Sequence, residues 1–182
     1  MVERISALAG QEMPRQFGPD LTLSERRVGS IWQVAAWPDQ IAAAGQVVAR
    51  AIGASEAPAA GQSASGRGGV ALRTEPLKWL LVSEAPLAVP DMGGSGTVVD
   101  LSHARTVIRI DGAAMPDLMA REMALDFRAA AMPDGRVATS GIHHIAVTTH
   151  VRDGGLDLYL FRSFSLTLWE HLVETAGQFS VA

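Results

Sequence analysis

The sequence predicts an α+β domain, a mostly antiparallel sheet with packed helices, and three observations carry that reading. Ile145, Val147, Thr149 and Val151 alternate, as do Leu156, Leu158 and Leu160, and Asp153-Gly154-Gly155 between them suits a hairpin turn. Two stretches place apolar residues at helical spacing: Ile41, Ala44, Val48, Ala51 and Ile52, then Leu168, Trp169, Leu172, Val173 and Ala176. Residues 98–127 read as a β-branched strand that breaks at Asp111-Gly112 and continues as a helix through Met115, Leu118, Met119 and Met123. Helices mixed with hairpins in this order belong to the α+β class.

Taken in order, residues 1–20 are polar, with Pro14, Gly18 and Pro19, and are expected to form a mobile N-terminal arm. Residues 21–182 are expected to form a single domain. Leu21 to Leu23 alternate, and 28–35 read as a strand with Ile31, Trp32 and Val34 as its apolar members. Trp37-Pro38-Asp39 is a helix entrance, because proline suits the first turn and Asp39 suits the positive end of the dipole. Gly53 stops that helix. The small, glycine-rich run 53–69 reads as a flexible loop. Residues 77–82, LKWLLV, form an apolar run suited to a strand buried on both faces. Turn signals follow at Pro133-Asp134-Gly135 and at Gly141, and Ser163 is positioned to cap the last helix.

Bulk properties exclude several classes. The chain has 182 residues and a net charge of −4. Its one lysine is Lys78 and its arginines are scattered, which argues against a nucleic-acid partner. Cysteine is absent, so there is no disulfide, thiolate nucleophile or thiolate metal site. No run approaches the roughly 18 apolar residues of a membrane span. The N-terminus carries acidic Glu3 and lacks the apolar core of a signal peptide, so a cytoplasmic address is expected. Only 19% of residues are charged and 48% are hydrophobic, which fits either an ordinary alanine-rich composition or a chain with part of its surface covered by a partner.

Few residues carry chemistry by motif. The histidines are His103, His143, His144, His150 and His171, and none forms the i, i+4 pair of a helical zinc motif. His143 and His144 are adjacent, so a strand would turn them to opposite faces. The sequence therefore predicts no metal site, and scattered structural or surface histidines. Ser102, His103 and Asp100 are too close in the chain to converge as a triad, and Asp100 and Ser102 are expected to be turn or hydrogen-bonding residues. Asp111, Asp117, Glu122 and Asp126 are expected to be solvated charges around helix ends and faces. GRGG at 66–69 lacks both glycine-rich phosphate fingerprints. Arg162 precedes the last helix, where a cation opposes the dipole, so a carboxylate or phosphate partner would suit it, with simple solvent exposure as the plainer reading. No catalytic or cofactor-binding residue is expected; Arg162, His143 and His144 are the interface or ligand candidates.

Several segments together carry a family resemblance. DLSHARTVIRIDG at 100–112 and LDF at 125–127, with ERRVGSIWQVAAWP, LKWLLVSE, PDGRVATSGIHHIAV and LDLYLFRSFSLTLWEHL, resemble the gamma subunit of heterotetrameric sarcosine oxidase. The DLSH-strand-glycine-helix pattern also resembles the folate-binding domain of the glycine-cleavage T-protein superfamily. In T-protein-like enzymes a carboxylate in a G-x-x-x-D-D-like segment serves folate chemistry; the similar segment here, Gly141 to Ile145, has His143 and His144 and no acid.

The resemblance implies a non-catalytic gamma subunit beside alpha, beta and delta partners. The complex would demethylate sarcosine oxidatively to glycine, with hydrogen peroxide and formaldehyde or methylene-tetrahydrofolate. FAD, FMN, NAD, tetrahydrofolate and zinc would sit on the partner subunits and none on this chain. Alternatives are a matching subunit of another N-methyl amino-acid demethylase or dehydrogenase, a stand-alone folate-binding protein or small one-carbon transferase, and a structural module for an unrelated partner. An isolated gamma chain could self-associate through its uncovered apolar face.

Overall fold

The computed structural model describes residues 5–180. In chain order the strands and helices begin β1 (Arg15–Gln16), β2 (Thr22–Glu25), β3 (Ser30–Ala36), α1 (Ile41–Ile52), β4 (Ser63–Gly66), β5 (Gly69–Glu75) and β6 (Lys78–Ser83). They continue with β7 (Gly96–Asp100), β8 (Arg105–Asp111), α2 (Met115–Glu122), β9 (Val137–Ile142), β10 (Ile145–Arg152), β11 (Gly155–Phe161) and α3 (Ser165–Ala176). The chain divides into two compact units, where the sequence read as one domain. One runs from Arg27 to Ser102; the other combines the residues up to Arg26 with those from His103 onward.

The Arg27–Ser102 unit is a five-stranded antiparallel sheet in the order β4-β5-β6-β3-β7, with α1 packed on it. The helix buries Ala44, Val48 and Ile52 against Val34, Ala71, Trp79 and Leu81. Gly53 ends it in the left-handed conformation, φ 71°. Its N–H and that of Ala54 return to the Arg50 and Ala49 carbonyls, the Schellman arrangement. At the other end, Gln40 holds the capping position, so Pro38 and Asp39 precede the helix rather than enter it.

The glycine-rich run 53–69 is built into this unit instead of being flexible throughout. Its last residues form the β4–β5 hairpin, in which Gly66 pairs with Gly69. The Gly68 N–H donates to the Ile52 carbonyl at 2.8 Å, and a Cβ on Gly66 would lie 2.2 Å from that oxygen. The glycines thus let the hairpin close over the C-terminus of α1, the negative end of its dipole and so the wrong end for an anion.

The other unit is a six-stranded antiparallel sheet, order β1-β2-β8-β11-β10-β9. On its apolar face Ile108 pairs with Leu158, Ile110 with Leu156 and Leu160 with Val147. Leu118 and Met119 of α2 and Leu168, Trp169 and Leu172 of α3 complete that core. The described part of the N-terminal arm is packed rather than mobile: Leu8 and Phe17 are buried in the same core, and β1 pairs with β2. Residues 1–4 of the arm lie outside the described residues.

The segment 98–127 is divided more finely than its pattern suggests. Residues 98–100 belong to β7, in the sheet of the Arg27–Ser102 unit, while β8 belongs to the six-stranded sheet. Between them, Ser102 donates its N–H to Asp100 Oδ1 at 2.8 Å and accepts the Ile31 N–H at 3.0 Å, the hydrogen-bonding roles expected of both residues. Gly112 has φ 116°, and a Cβ there would lie 2.0 Å from the Asp20 carbonyl. The helix beyond stops at Glu122, and Met123 is extended. At the last helix Ser163 falls within a single 3-10 turn, Arg162–Phe164, and Phe164 occupies the capping position with no side-chain cap.

Candidate functional site

In the six-stranded unit, three elements far apart in sequence bring Glu122, His143 and His171 together. Glu122 is the last residue of α2, four residues after Leu118 and three after Met119, both fully buried. That spacing carries it onto the inner face of the helix, so its side chain is only 2% exposed rather than solvated. His171 adjoins Leu172 on α3, whose stripe of Leu168, Trp169, Leu172 and Ala176 is buried. His143 and His144 are not on a strand: they form the two-residue turn joining β9 to β10, where Ile142 pairs with Ile145. His143 takes φ 51°, a left-handed conformation that is uncommon outside glycine and in which asparagine, aspartate and histidine are the enriched exceptions.

The Nε2 atoms of His143 and His171 lie 2.9 Å apart, and His171 Nε2 lies 2.6 Å from Glu122 Oε2. The rings stand at 85° to one another with centroids 4.2 Å apart, meeting edge-on rather than stacked. His171 is partly exposed and His143 exposed, so the group opens outward from a buried carboxylate.

His144 is exposed on the same turn and is not part of this group. Arg162 lies nine residues before His171, in the 3-10 turn that precedes α3. Its guanidinium donates to the Ile5 carbonyl at 2.6 Å and borders an open groove of about 540 Å³ with Ala7, Ala104, Phe161 and Ser163. The partner it finds in the fold is a backbone carbonyl rather than a carboxylate. Of the three residues singled out from sequence, only His143 joins a cluster.

The opposite face of the same sheet holds a buried charge network that the sequence reading overlooked. Asp157 is completely buried, accepting hydrogen bonds from Arg26 at 2.8 Å, Arg109 at 3.3 Å and the Tyr159 hydroxyl at 3.4 Å. Burial and the neighbouring Asp157 push the Tyr159 phenol well above its ordinary pKa. His150 pairs across from Asp157 and is 2% exposed. Burial pulls its pKa down to about 4, and Arg152 and Arg26 add to the effect. The signal was present: in the alternation of β11, every residue between the leucines shares a face, and Arg109 lies directly opposite Asp157.

In the Arg27–Ser102 unit a second groove, of about 510 Å³, lies between α1 and residues 55–58. Arg73 covers the Trp79 ring there at 5.1 Å and donates to the Pro76 carbonyl.

No family model matches the sequence, and no curated protein matches it. Among solved structures, the heterotetrameric sarcosine oxidase from Corynebacterium sp. U-96, in complex with pyrrole 2-carboxylate, contains a chain that superposes with a TM-score of 0.84. The match covers 98% of this chain and 97% of that one, at 23% sequence identity. This protein has the fold of a sarcosine oxidase chain. The glycine cleavage system aminomethyltransferase T from Bartonella henselae shares the fold more loosely, with a TM-score of 0.56 and 13% identity. The match takes in 85% of this chain but only 45% of the aminomethyltransferase, so this chain corresponds to under half of that protein. The α+β class and both fold relationships expected from the sequence are therefore present. Among the described residues, no helix is long and apolar enough to cross a membrane.

Proposed function

We propose that the chain is the gamma-type subunit of a heterotetrameric sarcosine oxidase, a cytoplasmic complex with alpha, beta and delta partners. The observation that carries this reading is the end-to-end match: almost all of this chain superposes on almost all of one chain of such a complex.

Two further features support an interface role. Phe161, Phe164 and Leu166 are each more than 40% exposed within six residues, around the start of α3. Large apolar side chains grouped in this way mark surfaces that partners cover. The low charged share of 19% points in the same direction. In this reading FAD, FMN, NAD, tetrahydrofolate and zinc are carried by the partner subunits, and the chain contributes packing. The complex removes the methyl group of sarcosine oxidatively, giving glycine, hydrogen peroxide, and formaldehyde or methylene-tetrahydrofolate.

Co-expression with candidate alpha, beta and delta chains followed by size exclusion tests the proposal. The expected result is a yellow, sarcosine-oxidising complex containing this chain, whereas the chain alone is colourless and inactive. Turnover of sarcosine by the lone chain would overturn the subunit reading. The second reading, a stand-alone folate-binding protein or small one-carbon transferase, rests on the looser likeness to the aminomethyltransferase. Calorimetric titration with tetrahydrofolate distinguishes it, since only that reading expects the isolated chain to bind.

A further inference from the structure

We infer that Glu122, His143 and His171 form a site for one divalent transition-metal ion. The inference rests on this chain's own side chains and is independent of the proposed complex.

The donor set comes first. Two imidazoles and a carboxylate are the ligands that zinc and its first-row neighbours take from proteins. One donor atom from each residue lies within 4.8 Å of the others. With metal–ligand bonds of about 2.0–2.2 Å, adjacent donors around one tetrahedral ion stand roughly 3.3–3.6 Å apart. Two of the three separations, 2.9 Å and 2.6 Å, are within about 1 Å of that. Small side-chain rotations would seat an ion, and His143 is on an exposed turn where such rotation is cheap.

Hydrogen bonding alone leaves the group poorly satisfied. The His171 Nε2 atom has one directional site, occupied either by a hydrogen or by a lone pair. It faces two partners at hydrogen-bonding distance, Glu122 Oε2 and His143 Nε2. If it donates to the carboxylate, His143 can only share the same hydrogen. If it accepts from His143, it turns a lone pair toward the carboxylate. A cation placed among the three atoms meets a lone pair from each and lies against the buried carboxylate of Glu122.

The consequence for the molecule is a clip. The three ligands come from the end of α2, the β9–β10 turn and the middle of α3, so one ion would tie all three together. Three protein donors leave at least one coordination position for water.

The test uses the full-length chain, stripped with a chelator and titrated with Zn²⁺ by calorimetry, with Tm followed in parallel. One Zn²⁺ per chain and a raised Tm are expected. His143→Asn is the informative variant, because asparagine tolerates the left-handed backbone and the position is exposed. It should weaken binding by more than the roughly 10–100-fold that losing an outer-shell partner costs, while leaving the metal-free Tm near that of the parent. His144→Asn, on the same turn, should leave binding unchanged. With Co²⁺ in place of Zn²⁺, the parent should show d–d absorption that His171→Asn loses. Failure of the parent to bind Zn²⁺, or binding by His143→Asn as tight as the parent's, would overturn the site.

Discussion

Asp157 and His150 sit opposite one another in the same sheet. Arg26 and Arg109 reach the two oxygens of Asp157. Removing one member of a buried ion pair leaves the others uncompensated, so Asp157→Asn is expected to lower unfolding free energy by about 3–5 kcal/mol. A urea midpoint that fell without a change in slope would check this. His150 is buried among arginines and is held neutral, with its pKa near 4 in the folded chain against about 6.5 when unfolded. Its contribution to stability is therefore complete above pH 6.5 and is lost as the pH falls toward 4. The total is about 3 kcal/mol. Denaturation curves taken between pH 8 and 4 should show that decline, and His150→Gln should flatten it. These residues were legible as a face, since Arg109, Asp157 and Tyr159 alternate with inward leucines and isoleucines. Their burial was not, because the period of a strand tells which side a residue takes and not what lies over it.

The elements divide according to how local their determinants are. The hairpin around Asp153 and Gly154 was readable because its turn chemistry lies within it; both residues take positive φ, 50° and 72°. Gly53 was readable as a helix stop for the same reason. The 98–127 segment was readable only in part. Nothing in a run of β-branched residues says that 98–100 and 105–111 join different sheets. Leu158 shows what the shared apolar face contributes: it is fully buried between Thr149 and Ile108, and Leu158→Ala is expected to cost about 2–5 kcal/mol. Gly112→Ala should be at least as disruptive in proportion to its size. It combines an unfavourable φ with a methyl group 2.0 Å from the Asp20 carbonyl. Thermal melts of the two variants would establish the order. The Glu122, His143 and His171 group had no local signature at all, since its members are 28 and 49 positions apart along the contacts that join them. Only the paired turn of β9 and β10 and the packing of α2 and α3 make them neighbours.

For the whole molecule, the exposed apolar residues around the start of α3 separate stability from assembly. Phe164 is 46% exposed and holds the capping position of α3 without a side-chain cap, so Phe164→Asp should not destabilise the isolated chain and should add about 1 kcal/mol through the new cap. In the proposed complex the same change should weaken retention by the partner subunits, read as loss of coelution. The division of the chain matters on a different axis, that of time. β2 and β8 are paired neighbours in one sheet, yet the whole Arg27–Ser102 unit is threaded between them. A ribosome releases β2 first and cannot supply its partner until the entire intervening unit has emerged. The continuous unit can mature while the first strands wait with an unpaired edge, a state prone to wrong pairings. The order of synthesis thus makes the inserted unit the early folder and the six-stranded sheet the late one. Early buried contacts should therefore appear at Val34 and Leu81 before they appear at Leu23 and Ile110.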